Sequence, residues 1–85
     1  MEWCVYIIEC TSGAYYTGST PDLEKRFRQH LEGKGAKYTR MDKPMRIVAA
    51  ARCDSKSAAL KLEAALKKLP RRAKQAWIEE HPHAP

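Results

Sequence analysis

Residues 3–10, WCVYIIEC, are aromatic, β-branched or otherwise apolar at every position except Glu9, and no other stretch constrains the fold as strongly. In an extended chain the side chains alternate, so Trp3, Val5 and Ile7 fall on one face and Cys4, Tyr6 and Ile8 on the other. Both faces need cover, which makes this a central strand of a sheet. The chain has 85 residues, enough for one small domain whose core only just offsets conformational entropy. Residues 1–81 are expected to form that domain, with 82–85 as a frayed tail.

Thr11-Ser12-Gly13-Ala14 is a turn signal, and Tyr15 to Gly18 can return antiparallel as a second strand, bringing Tyr6 and Tyr16 close across a hairpin. Thr20-Pro21 opens a helix to about Leu31, with Thr20 as the cap and Leu23, Phe27 and Leu31 as the apolar seam. Arg26 and His30, four residues apart, share a stripe beside that seam. Gly33-Lys34-Gly35 ends the helix and opens a basic loop, Lys34 to Arg46, with one short helical turn expected over 36–40. Met45 to Cys53 has the character of a third strand. Asp54 or Ser55 then caps a helix to Leu69, Pro70 breaks it, and Arg71 to about Glu80 forms a last helix anchored by Ala73, Ala76 and Trp77. The order β-β-α-β-α-α predicts an α+β domain with a three-stranded, mainly antiparallel sheet flanked by helices.

The net charge of +6 is unevenly spread: residues 1–20 carry −2, residues 21–53 carry +5 and residues 54–85 carry +3. Such a distribution fits a binder of nucleic-acid phosphates and equally fits a solvated surface. Three widely spaced cysteines without a CxxC pair indicate neither a disulfide framework nor a zinc site, which suits the reducing cytoplasm. No apolar run approaches the roughly 20 residues that span a bilayer.

Glu63 stands among Ala59, Leu60, Leu62, Ala64 and Leu66, at the border of the face that packs on the sheet. A carboxylate there needs a partner: Lys67 one turn on, a nearby arginine, or a divalent cation. Helix geometry alone favours the ion pair. Tyr6 and Tyr16, taken singly, are cross-strand packing residues, and His30 suits a helix end as an imidazolium. As a set, Tyr6, Tyr16, Arg26, His30 and Glu63 are the residue types that metal-assisted phosphodiester hydrolysis requires.

With Cys4-Val5-Tyr6 as one half-motif, Tyr16-Thr17-Gly18 as the other, and then DLEKRFRQH, GKGAKYTR and LEAALKKLP, nearly the whole chain resembles a GIY-YIG nuclease domain of the small stand-alone type, related to the catalytic domain of structure-specific endonuclease subunits. The resemblance implies a hydrolase of DNA phosphodiester bonds with low sequence specificity and selectivity for structure, of the kind used in repair or recombination. It implies that Tyr6 orients or deprotonates water, that Tyr16 holds the same water or the phosphate, and that Arg26 stabilises transition-state charge. His30 would assist proton transfer, and Glu63 would be the only protein ligand of one Mg²⁺ or Mn²⁺ ion. A free tyrosine titrates near 10 and a free histidine near 6.5, so the general base stays open between Tyr6 and His30.

Lys34, Lys37, Tyr38, Arg40, Lys67, Arg71, Arg72 and Lys74 are the expected backbone-binding residues, acting as a monomer or weak dimer with any targeting supplied by a protein partner. This sequence departs from the family pattern at Cys4, where a glycine is usual, at Thr17 for isoleucine, at Ser19, where some members have lysine, and in lacking asparagine altogether. The alternative is a non-catalytic nucleic-acid-binding module with the same fold.

Overall fold

A computed structural model describes residues 2–33 and 42–83. The turn expected over 36–40, and with it Lys34, Lys37, Tyr38 and Arg40, lies outside the described residues. The elements are β1 (Trp3–Cys10), β2 (Tyr15–Thr20), α1 (Leu23–Leu31), β3 (Pro44–Cys53), α2 (Lys56–Lys67) and α3 (Arg71–Glu80). They form the α+β arrangement expected, a three-stranded sheet in the order β2-β1-β3 with both pairs antiparallel.

β1 is central because both its faces are used. Val5 packs with Ala59 and Leu66, alongside Trp3, Leu62, Leu69 and Trp77, which puts α2 and α3 on one side. Tyr6, Ile8 and Cys10 pack with Tyr16, Leu23, Phe27, Ile47 and Ala50, which puts α1 on the other. Val5, Ile7 and Ile8 are wholly inaccessible to solvent. Burying such side chains contributes about 1.5–3 kcal/mol each, so one strand nucleates two thin cores.

The β1–β2 hairpin closes on Gly13, at φ +90°, where a side chain would be strained. Its backbone is fixed by Cys10 N–H to Ala14 O and Gly13 N–H to Cys10 O, both 2.9 Å. Asp42, just before β3, accepts from Thr11 Oγ1 at 3.0 Å, from Ser12 N at 3.2 Å and from the Ser12 hydroxyl. These bonds, the Ser12 hydroxyl foremost, hold the Asp42 carboxyl below its ordinary range. From the opposite side Arg71 donates to Gly13 O at 2.9 Å and lays its guanidinium 4.3 Å from the Tyr15 ring centroid.

Four local expectations are corrected. Asp22, not Thr20, caps α1: Asp22 is extended and its carboxylate accepts from Lys25 N at 3.2 Å, so Pro21 precedes the helix. Leu31 is 49% exposed, because the inward seam turns through Leu23, Phe27 and His30 at spacings of four and three, and His30 takes the position expected of Leu31. Ala76 is exposed and Ile78 partly buried, so α3 is seated through Trp77 and Ile78 rather than Ala76. Pro82 and His83 do not fray: Pro82 bridges Ala49, and His83 N–H bonds Val48 O at 3.3 Å, extending the outer edge of β3.

Gly18 on β2 lies opposite Tyr6, whose ring crosses directly over it. A Cβ at Gly18 would stand 2.5 Å from the Tyr6 hydroxyl oxygen and 2.6 Å from Cζ. Gly18→Ala is therefore expected to displace a fully packed ring and cost about 1–3 kcal/mol, seen as a lowered denaturation midpoint. An unchanged midpoint would contradict the close approach.

Candidate active site

Crossing Gly18 carries the Tyr6 hydroxyl from the centre of the sheet towards its β2 edge. There it meets His30 Nε2 at 3.1 Å. Tyr16, two residues before Gly18 on the same face of β2, completes a cluster of three rings. Its centroid is 5.0 Å from that of His30 and 6.4 Å from that of Tyr6. Tyr6 and His30 are each 1% exposed, whereas Tyr16 is part-exposed.

Arg26, one turn before His30, hydrogen-bonds Tyr6 and also holds Gln29 Oε1 at 3.2 Å. The stripe shared by Arg26 and His30 thus faces the first tyrosine. A guanidinium has no acceptor, so the Tyr6 oxygen must accept from Arg26. The direction of the bond between the phenol and Nε2 is set by the tautomer of His30.

Burial pushes the Tyr6 phenol up to about 12, only partly opposed by the hydrogen bond from Arg26. Burial, followed by the nearby Arg26 charge, lowers His30 to about 4. The imidazole is therefore neutral at pH 7, and the expectation of an imidazolium capping the helix end is corrected. A residue sealed in the core cannot keep that charge solvated.

Glu63 approaches from α2, on the other side of the sheet, along the inward stripe of Ala59, Leu62 and Leu66. It accepts from Ser19 Oγ on β2 at 2.5 Å and from Lys67 Nζ at 2.7 Å. Burial raises its carboxyl, but the hydrogen bonds from Lys67 and Ser19 prevail and hold it below the ordinary value. Ser19 and Gly18 are neighbours on β2, so the acid reaches the edge that the Tyr6 hydroxyl reaches from the opposite face. Its charge is close enough to raise the Tyr6 phenol further. The ion pair with Lys67 is formed, as helix geometry alone favoured.

Arg26 and Tyr16 line separate clefts rather than a common one. Arg26 lines a shallow cleft of about 250 Å³ with Thr20, Asp22, Lys25 and Gln29. Tyr16 lines another of about 150 Å³ with Tyr15, Thr17, Lys67 and Lys74. Of the described residues expected to grip a backbone, Lys67 is paired with Glu63 and Arg71 with the hairpin, while Arg72 is exposed and Lys74 half-buried.

No group of three or more His, Cys, Asp or Glu side chains gathers among the described residues, so a soft or thiolate-bound metal has no seat there. Glu63 does fit a hard cation: it is an ionised, oxygen-only donor held at the rim by Ser19, and Mg²⁺ commonly takes one or two carboxylates plus water and phosphate. The partners that sequence reasoning missed are Ser19 for Glu63, Asp42 for the hairpin and Arg71 for Tyr15. All three are polar residues whose spacing carries no periodic signal.

A family model described as the GIY-YIG catalytic domain matches residues 2–76. A UPF0213 protein of Cupriavidus necator is 48% identical over 80 residues, spanning 94% of this chain and 87% of the relative. The solution NMR structure of a UPF0213 protein from Bacillus halodurans superposes with a TM-score of 0.60 at 44% identity, covering 93% of this chain and 84% of that one. A solution NMR structure of a protein from E. faecalis gives 0.65 at 32% identity, covering 100% and 95%.

The depressed His30 value fixes a pH dependence. An unfolded chain protonates His30 near 6.5 and the folded one only near 4, so the unfolded state binds more protons in that window. Stability is expected to be greatest above about pH 6.5 and to fall as pH drops towards 4. In His30→Gln, which retains hydrogen-bonding groups but cannot titrate, the decline between pH 6.5 and 4.5 should flatten in urea melts. Equal slopes for the two proteins would contradict the assignment.

Proposed function

The chain belongs to the GIY-YIG family of nuclease domains, and from that premise we propose that it is a metal-dependent endonuclease that hydrolyses DNA phosphodiester bonds with little sequence specificity and some selectivity for DNA structure. The observation that carries the reading is the meeting of three elements at the β2 edge: Tyr6 bonded to His30 and Arg26, with the Glu63 charge acting on the same phenol.

In this reading Arg26 contacts a non-bridging phosphate oxygen and stabilises the charge that grows there in the transition state, where a fixed donor in a partly dry site is worth most. Tyr16, the more exposed phenol, holds the attacking water, and Tyr6 orients it from behind. Tyr6 near 12 is no base at neutral pH, and His30 near 4 is a weak one. Their hydrogen bond does give a path by which a proton leaves water for Tyr6 while the Tyr6 proton passes to Nε2 of His30. Glu63 would hold one Mg²⁺ or Mn²⁺ ion, which when bound supplies positive charge to the phosphate and lowers the pKa of nearby water and phenol. Binding it requires the Lys67 ammonium to yield its place on the carboxylate.

Phosphate contacts from basic side chains position a strand without reading bases, which supports low sequence specificity. The Glu63–Lys67 pair also favours a second reading, a non-catalytic nucleic-acid-binding module in which that carboxylate only anchors α2. Among the described residues no helix is long and apolar enough to cross a membrane.

Supercoiled plasmid, branched DNA and single-stranded DNA, each incubated with Mg²⁺ or chelator, separate the two readings. Wild-type protein should nick at least one substrate only with metal. Arg26→Ala and Glu63→Ala should each lose about 100-fold or more in rate, while Glu63→Ala still binds DNA. Wild-type protein that binds every substrate and cleaves none at enzyme excess would establish the module.

A further inference from the structure

The guanidinium of Arg26 is planar and sits on a long side chain, so a single contact leaves it free to swing. Two contacts at separate points fix its plane. One is the Tyr6 oxygen, and the other is Gln29 Oε1, which accepts from an Arg26 Nη at 3.2 Å. Because a guanidinium only donates, the oxygen of Gln29 rather than its NH₂ group must face it, and the carboxamide is oriented in turn. Gln29 is half-buried where its neighbour Arg28 is exposed, and it lines the same cleft of about 250 Å³ as Arg26. This acceptor is neutral. Asp22, one turn before Arg26 and in the same cleft, carries the nearest alternative on α1, but its carboxylate caps the helix at Lys25 N. Arg26 makes no ion pair with any described residue, so its charge is left for an anion.

We propose that Gln29 is a positioning residue for phosphodiester cleavage, fixing the Arg26 guanidinium against Tyr6 without neutralising it. The inference rests on the nuclease reading, in which Arg26 meets the scissile phosphate. Gln29 stands three residues after Arg26, a spacing that lets the two side chains meet on one helix face. The next residue, His30, holds the same Tyr6 hydroxyl, so α1 sets phenol and guanidinium as one unit. A misplacement of about 1 Å at such a group can cost about 100-fold in rate. Without the carboxamide the guanidinium is free to turn towards Asp22 and away from Tyr6. A carboxylate at position 29 would keep the hold but compete with the phosphate, since charge-assisted bonds are the stronger ones.

The test pairs guanidinium NMR of the full chain labelled with ¹⁵N at arginine, the Arg26 signals being assigned by their loss in Arg26→Lys, with plasmid nicking in Mg²⁺. Gln29→Met keeps the length and helix propensity of the side chain but offers only a weak acceptor. It should average Arg26 Nη signals that are resolved in the wild type and lower kcat about 10-fold or more, with KM and the denaturation midpoint unmoved. Gln29→Glu should keep those signals resolved and raise KM severalfold, a split that a merely structural role would not produce. Arg26 signals that are alike in the wild type and Gln29→Met would overturn the proposal, and so would averaged signals with a wild-type kcat. Averaged signals in Gln29→Met together with a wild type that nicks nothing would instead remove the nuclease reading, while the hold of Gln29 on Arg26 stands.

Discussion

A single buried hydrogen bond, between the Tyr6 hydroxyl and His30 Nε2 at 3.1 Å, ties the centre of the sheet to the last turn of α1. Two polar groups, each 1% exposed, would destabilise a core this thin if left apart, so each makes the other tolerable. The arrangement also demands Gly18, since any side chain there would occupy the space of the phenol. One constraint on packing thus fixes a residue on each of β1, β2 and α1, and all three converge on the β2 edge.

From the α2 face, Ser19 and Lys67 hold a carboxylate ionised at the same edge. Tyr6 and Glu63 start on opposite sides of the sheet and approach around its rim, which only an edge strand permits. The position of β2 at the end of the order β2-β1-β3 is therefore a condition for the site. Arg71 contributes from a distance, steadying the hairpin through Gly13 and Tyr15.

Much of this was legible in the sequence because it depends on periodicity. The two-faced run Trp3–Cys10 dictated a central strand, and the break at Pro70 separated α2, which ends two residues before the expected Leu69, from α3, which spans the expected residues. The α1 seam failed at one position: Leu31 is the more apolar choice, yet helix rotation puts His30 inward, and a polar residue enters a core only where a specific partner waits. The expected Thr20 cap failed because Thr20-Pro21 and Asp22 compete as helix starts, and the Asp22 carboxylate reaches Lys25 N. Tyr6 and Tyr16 meet across the hairpin and Arg26 and His30 share a stripe, as their spacings suggested, but no spacing told that the stripe would face the tyrosines. The raised phenol and lowered imidazole were not legible, since they come from burial, which residue type alone does not reveal.

The central claim is that His30 lies neutral in the core, hydrogen-bonded to Tyr6. Imidazole nitrogen NMR on protein labelled with ¹⁵N at histidine tests it most directly. The account predicts one protonated and one bare nitrogen on His30, unchanged from pH 8 down to about 5 and titrating near 4. A His30 imidazole that titrates near 6.5 would contradict it.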